Sequence, residues 1–65
     1  MDSTKLTIKE WREAKGISRE ALADACKVSV QTIKNWENNP KSIRIDFAFQ
    51  LAKALDVDIR NIFFY

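Results

Sequence analysis

A chain of 65 residues, 46% apolar and 31% charged, is long enough for one domain and too short to divide into two. One cysteine and no histidine exclude an internal disulfide and leave no ligand set for a structural metal. The net charge is only +2, but residues 1–44 carry nine Lys or Arg against six Asp or Glu, while residues 45–65 carry two against three, so the basic excess lies in the first part.

The apolar content, with one glycine and one proline, argues for a folded, helix-rich domain over residues 1–65 rather than a disordered segment. No apolar run approaches the roughly 18 residues of a membrane span, and no signal-peptide pattern opens the chain. The expected location is the cytoplasm.

Five helices are predicted in chain order. The first begins at Thr7, which has Glu10 at capping-box spacing, and ends at Gly16, a residue free to take positive φ. Ser18 caps a second helix, Arg19 to Cys26. Leu22, Ala25 and Cys26 share its apolar face, with Cys26 as a small buried hydrophobe. Ala23 is small enough for two helices to touch. Ser29 caps a third helix, Val30 to Asn38, with Ile33 and Trp36 turned inward and Val28 plugging the corner before it. Residues 38–42 read as a loop, because asparagine tolerates left-handed backbone and proline stops a helix.

The fourth helix runs from Ile45 to Leu55. Ile45, Ala48, Phe49, Ala52 and Leu55 form one apolar stripe, and Phe47, Leu51 and Ala54 a second, so this helix is expected to be covered on most sides. Asp58 caps a last short helix, Ile59 to Phe63. No alternating strand pattern survives, and the fold class is all-α. Trp11 and Trp36, at helical spacing, belong in the core rather than stacked on bases.

The second and third helices, joined by a tight corner, have the layout of a helix-turn-helix, whose second helix enters the DNA major groove. Three stretches carry a family resemblance. Ile8-Lys9-Glu10-Trp11-Arg12-Glu13-Ala14-Lys15-Gly16-Ile17-Ser18 is similar to the first helix and the entry to the second. Ala23, Val28, Ser29, Thr32, Ile33, Trp36, Glu37 and Asn38 are spaced as in the helix-turn-helix itself. Leu51-Ala52-Lys53-Ala54-Leu55-Asp56-Val57 is similar to the fourth helix and the turn after it. Together they resemble the Cro/repressor-type helix-turn-helix domain, also called lambda-repressor-like, over about residues 6–64.

The resemblance implies a five-helix DNA-binding domain, usually a dimer on a two-fold operator. It implies a structural ion pair of Arg12 with Glu37, a phosphate contact at Arg19, and base reading by Val30, Gln31, Lys34 and Asn35. Most members have glycine where this chain has Lys27, a corner that needs left-handed backbone, at about 1 kcal/mol or more for other residues. Many have glutamine at the positions of Arg19 and Val30.

The chemistry of these side chains fits such roles. Gln31 and Asn35 can pair bidentately with adenine, Lys34 can meet guanine or phosphate, and Val30 can touch a thymine methyl. Ser29, Thr32, Asn38, Lys41, Ser42 and Arg44 are candidates for the phosphate backbone, the alternative being a solvated surface. Arg12 and Glu37, each beside a tryptophan, are expected to form a partly buried, bidentate pair. Ile62, Phe63, Phe64 and Tyr65 are too apolar to stay bare; they either fold back onto the core or form the interface of a weak homodimer.

The function expected from all this is sequence-specific binding of double-stranded DNA by a transcriptional regulator, with no enzymatic role expected, since the chain lacks a glycine-rich phosphate loop and a nucleophile–base pair. A repressor acting by operator occupancy leads; an antitoxin or a protein-interaction module on the same scaffold are the alternatives. No cofactor, metal, membrane or small-molecule substrate is expected.

Overall fold

Three serine or threonine hydroxyls start the first three helices. The computed structural model describes residues 5–64, with α1 at Ile8–Lys15, α2 at Arg19–Cys26, α3 at Val30–Asn38 and α4 at Ile45–Leu55. Thr7 Oγ1 accepts the Glu10 N–H at 3.2 Å, and Glu10 Oε1 accepts the Thr7 N–H at 2.9 Å, closing the expected capping box. Ser18 Oγ accepts from Ala21 N–H at 3.0 Å, and Ser29 Oγ from Thr32 N–H at 3.1 Å. Each bond satisfies a backbone donor that the helix itself leaves unpaired.

The same three-part device ends α1, α2 and α4. Gly16, Lys27 and Asp56 turn left-handed at φ 68°, 58° and 59°. The next residue then donates its N–H back across the last turn: Ile17 to Arg12 O, Val28 to Ala23 O and Val57 to Ala52 O, each at 3.0 Å. These are Schellman ends, and each returns a half-buried apolar residue, Ile17, Val28 or Val57, to the core. Lys27 therefore adopts the strained corner conformation that glycine would take without cost. The end of α3 differs: Asn39 is not left-handed, at φ −139°, and Pro40–Ser42 forms a single 3-10 turn where a loop was expected.

The core gathers one stripe from every helix. Ile8, Leu22, Ile33, Leu51 and Leu55 are at most 1% exposed, joined by Ala23, Cys26, Trp36, Ala52 and Ile62. α2 packs on both α3 and α4, and α1 packs on α4. Ala23, 3% exposed, sits in the buried face of α2, whereas Ala25, assigned to that face from the sequence, is exposed. The buried residues of α2 are therefore Leu22, Ala23 and Cys26.

Two further expectations are corrected. α4 is not covered on most sides: Ala48, Leu51, Ala52 and Leu55 are buried, but Ile45 is 65% and Phe49 57% exposed. The fifth helix is only a 3-10 turn, Ile59–Asn61, capped by Asp58, so the described residues form four α-helices. After it the chain extends, and Ile62 forms a parallel bridge with Leu6. Leu6 N–H donates to Asn61 O and Phe63 N–H to Leu6 O, while the Trp11 indole N–H also reaches Asn61 O at 2.8 Å. This clasp uses the backbone groups that another helical turn would have consumed. No helix among the described residues is long and apolar enough to cross a membrane.

Candidate nucleic-acid interface

The outward face of α3 is polar because the inward face is anchored. Ile33 is fully buried, and the Trp36 ring lies 5.1 Å from that of Phe47. With those two fixed, helical periodicity turns Gln31, Lys34, Asn35 and Asn38 to the opposite side, at i, i+3, i+4 and i+7. All four are exposed.

Two of the four are joined. Gln31 Nε2 donates to Asn35 Oδ1 at 3.1 Å. A glutamine amide has two N–H donors and a carbonyl with two lone pairs. The bond uses one donor and leaves Gln31 Oε1 and the second N–H, the pair that a bidentate contact to adenine requires. Lys34 stands clear of any ion pair among the described residues. Val30 is half-buried and packed against the core, so only part of its apolar surface faces outward.

Hydroxyls at the helix start are already occupied. Ser29 Oγ lies 2.9 Å from Thr32 Oγ1 while capping α3, and Thr32 is half-buried. On the far side of α3, Ser42 Oγ donates to Asn39 O at 2.8 Å, closing the 3-10 turn. Asn38, Lys41 and Arg44 are exposed. Arg44 occupies the N-cap of α4 and makes no side-chain capping bond. A cation at a helix N-terminus opposes the helix dipole, so this end is electrostatically complementary to an anion rather than to its own side chain.

The ion pair behind α3 is larger than expected. Arg12 Nε donates to Glu37 Oε2 at 2.8 Å, and Arg19 Nε donates to Glu37 Oε1 at 3.0 Å. Glu37's side chain is 4% exposed, Arg12's 11% and Arg19's 36%. Arg12 makes one bond to the carboxylate, not the two of a bidentate pair, and donates a second to Ile17 O at 3.1 Å. Glu37 thus ties α3 to both α1 and α2, and no buried side-chain polar atom among the described residues lacks a partner. Arg19, assigned to phosphate from the sequence, has its Nε on Glu37 and a side chain that stays 36% exposed. The Arg19 bond was missed because only the packing angle of α2 on α3 brings residues 19 and 37 together.

Of the apolar tail, Ile62 is 3% exposed and belongs to the core, Phe64 is half-buried against it, and Phe63 is 39% exposed. Tyr65 lies outside the described residues. No group of metal-binding side chains occurs among the described residues.

Comparison with known proteins agrees with this geometry. A helix-turn-helix family model matches residues 8–62. No curated protein and no solved structure matches the chain. The match covers both helices of the motif, its corner and the packing helices α1 and α4, and the chain belongs to the Cro/repressor-type helix-turn-helix family of DNA-binding regulators.

Proposed function

We propose that this domain regulates transcription by occupying an operator in double-stranded DNA, with α3 in the major groove. In this reading Gln31 chooses the base, and Asn35 holds its amide in place while offering its own NH2 group to the next base edge. Lys34 and Val30 flank them. Arg19, Lys41 and Arg44 contribute affinity through phosphates, with Ser29, Thr32, Asn38 and Ser42 as neutral donors on either side. The observation that carries the reading is the exposed Gln31–Asn35 pair on an otherwise anchored helix.

The reading includes two copies on a two-fold site, with recognition helices about 34 Å apart, one turn of DNA. Occupancy blocks or assists polymerase without any chemistry, and repression is the leading form of the reading.

The test begins with selection of bound duplexes from a random library. Gln31→Ala, Asn35→Ala and Lys41→Ala are then compared on the selected and scrambled duplexes over a salt series. Loss of a base contact is expected to cost about 1–3 kcal/mol on the selected duplex and little on the scrambled one. Loss of a phosphate contact should weaken both and lower the salt slope by about one. Equal weakening of both duplexes by Gln31→Ala would defeat the assignment of base choice to α3.

A further inference from the structure

Glu37 holds two guanidiniums from two different helices, and the two are not equivalent. Arg12 on α1 has a side chain 11% exposed, and it donates to Glu37 Oε2 at 2.8 Å and to Ile17 O at 3.1 Å. Arg19, the first residue of α2, donates from Nε to Glu37 Oε1 at 3.0 Å and stays 36% exposed. Among the described residues this is the only hydrogen bond of the Arg19 side chain. A guanidinium carries N–H donors on its terminal nitrogens as well as on Nε, so the bond to Glu37 leaves the terminal ones for another acceptor.

Charge and rigidity point the same way. One carboxylate between two guanidiniums leaves a positive charge in excess, and Arg19 is the more exposed of the two. Glu13, 58% exposed, lies 3.9 Å from Arg12 Nη2 and forms no ion pair with Arg19. The carboxylate that fixes Arg19 is itself fixed. It is 4% exposed, follows the buried Trp36 in α3 and is held from the other side by Arg12. A long side chain tied at Nε to such a group has given up rotamer freedom before any ligand arrives, whereas a loose one loses it on binding. The first helix of a helix-turn-helix crosses the DNA backbone, and a guanidinium fork suits the oxygens of a phosphate.

We infer that Glu37 is a positioning residue for phosphate binding: it holds the Arg19 guanidinium by Nε and presets its terminal nitrogens as a fork for one DNA phosphate. The inference rests on the DNA-binding reading and adds to it a buried residue that acts on DNA only through Arg19. It also separates Arg19 from Lys41 and Arg44, which form no ion pair among the described residues and act as unanchored charges.

The test compares the wild type, Arg19→Lys, Arg19→Ala, Glu37→Gln and the double variant Glu37→Gln with Arg19→Ala. Each is bound to a selected and a scrambled duplex over a salt series, and its helical circular dichroism is recorded. Arg19→Lys keeps the charge and loses the fork, so it should weaken both duplexes about three- to tenfold with an unchanged salt slope. Arg19→Ala should lower the slope by about one. Glu37→Gln should weaken binding about three- to tenfold more in the wild type than in the Arg19→Ala background, a comparison in which its change of net charge cancels. Should Glu37→Gln fail to fold, the Arg19→Lys comparison decides alone. A wild type that binds DNA while Arg19→Lys binds equally well would overturn this inference and leave the DNA-binding reading standing. An equal effect of Glu37→Gln in the two backgrounds, or lost stability with unchanged DNA affinity, would overturn it too, since a purely structural role predicts both. A wild type that binds no duplex would overturn the DNA-binding reading and this inference together.

Discussion

Glu37 is the residue on which three helices depend. Its carboxylate is 4% exposed and accepts from both Arg12 and Arg19. Removing it strands a buried guanidinium, whereas removing either arginine leaves the carboxylate one partner. Glu37→Ala is therefore expected to lose about 3–5 kcal/mol. Arg12→Ala should cost less than that, and Arg19→Ala, at a more exposed position, under about 1 kcal/mol. Urea denaturation of the three variants checks the order; equal losses would mean that the carboxylate does not bridge. Lys27 offers a prediction of opposite sign. Its backbone is left-handed at φ 58° and ψ 43°, a conformation costing about 1–2 kcal/mol for an ordinary L residue. Glycine removes that strain but gains freedom in the unfolded chain, which returns about 0.4–1 kcal/mol. Lys27→Gly should raise stability by about 0.5–1 kcal/mol, or a few degrees in Tm, and a thermal melt shows it. A lower Tm would indicate that the lysine side chain contributes more than its strain removes.

The elements differ in how far the sequence betrays them. The starts and ends of α1 to α3 were legible because a cap is a local bond: Thr7, Ser18 and Ser29 each act within their own next turn. The candidate reading face was legible for a related reason, since fixing Ile33 and Trp36 inward places Gln31 and Asn35 outward by periodicity alone. Three features depended on distant parts of the chain and were not legible. Which of two apolar stripes on α4 is buried depends on where α1 and α2 pack, so Ile45 and Phe49 were placed inside. The last helix was drawn too long because its competitor, the bridge to Leu6, lies at the other end of the chain. The Arg19–Glu37 bond needed the angle between two helices. Two element ends carry predictions. At α4, Arg44→Asp should supply the missing N-cap and stabilise by about 1 kcal/mol. Under the DNA-binding reading the same change lowers the salt slope by about one; a gain in both stability and DNA affinity would remove Arg44 from the interface. At the 3-10 turn, hydrogen bonds from the Arg60 side chain and backbone hold the Asp58 carboxyl at about 2, below its ordinary 3.8. A depressed carboxyl stabilises the fold above its unfolded value and loses that stabilisation as pH falls. The wild type should therefore lose stability between pH 3.8 and 2 more steeply than Asp58→Asn, and parallel curves would show that the cap is not coupled to folding.

At the scale of the whole molecule, the core is one cluster to which all four helices contribute. The clasp between Leu6, Trp11, Asn61 and Phe63 adds to this by joining the two ends of the described chain. Cys26 reports on that unity from within. It is 2% exposed in the buried stripe of α2, and burial pushes its thiol above the ordinary range, so at neutral pH the nucleophilic thiolate is scarce as well as inaccessible. A disulfide reagent can reach it in two ways. If α2 frays or detaches by itself, labelling proceeds at a rate nearly independent of low urea concentrations. If the domain opens only as a unit, the rate is the intrinsic rate multiplied by the global unfolding constant, and its logarithm rises with urea at the slope of the equilibrium transition. The shared core and the ties from Glu37 to α1 and α2 favour the second behaviour. Labelling in water should then be slower than in the unfolded chain by a factor on the order of 10³ or more, with the full equilibrium slope. Fast labelling with a shallow slope would show that α2 opens separately, and the motif would then be a loose pair of helices rather than a rigid unit set by its core.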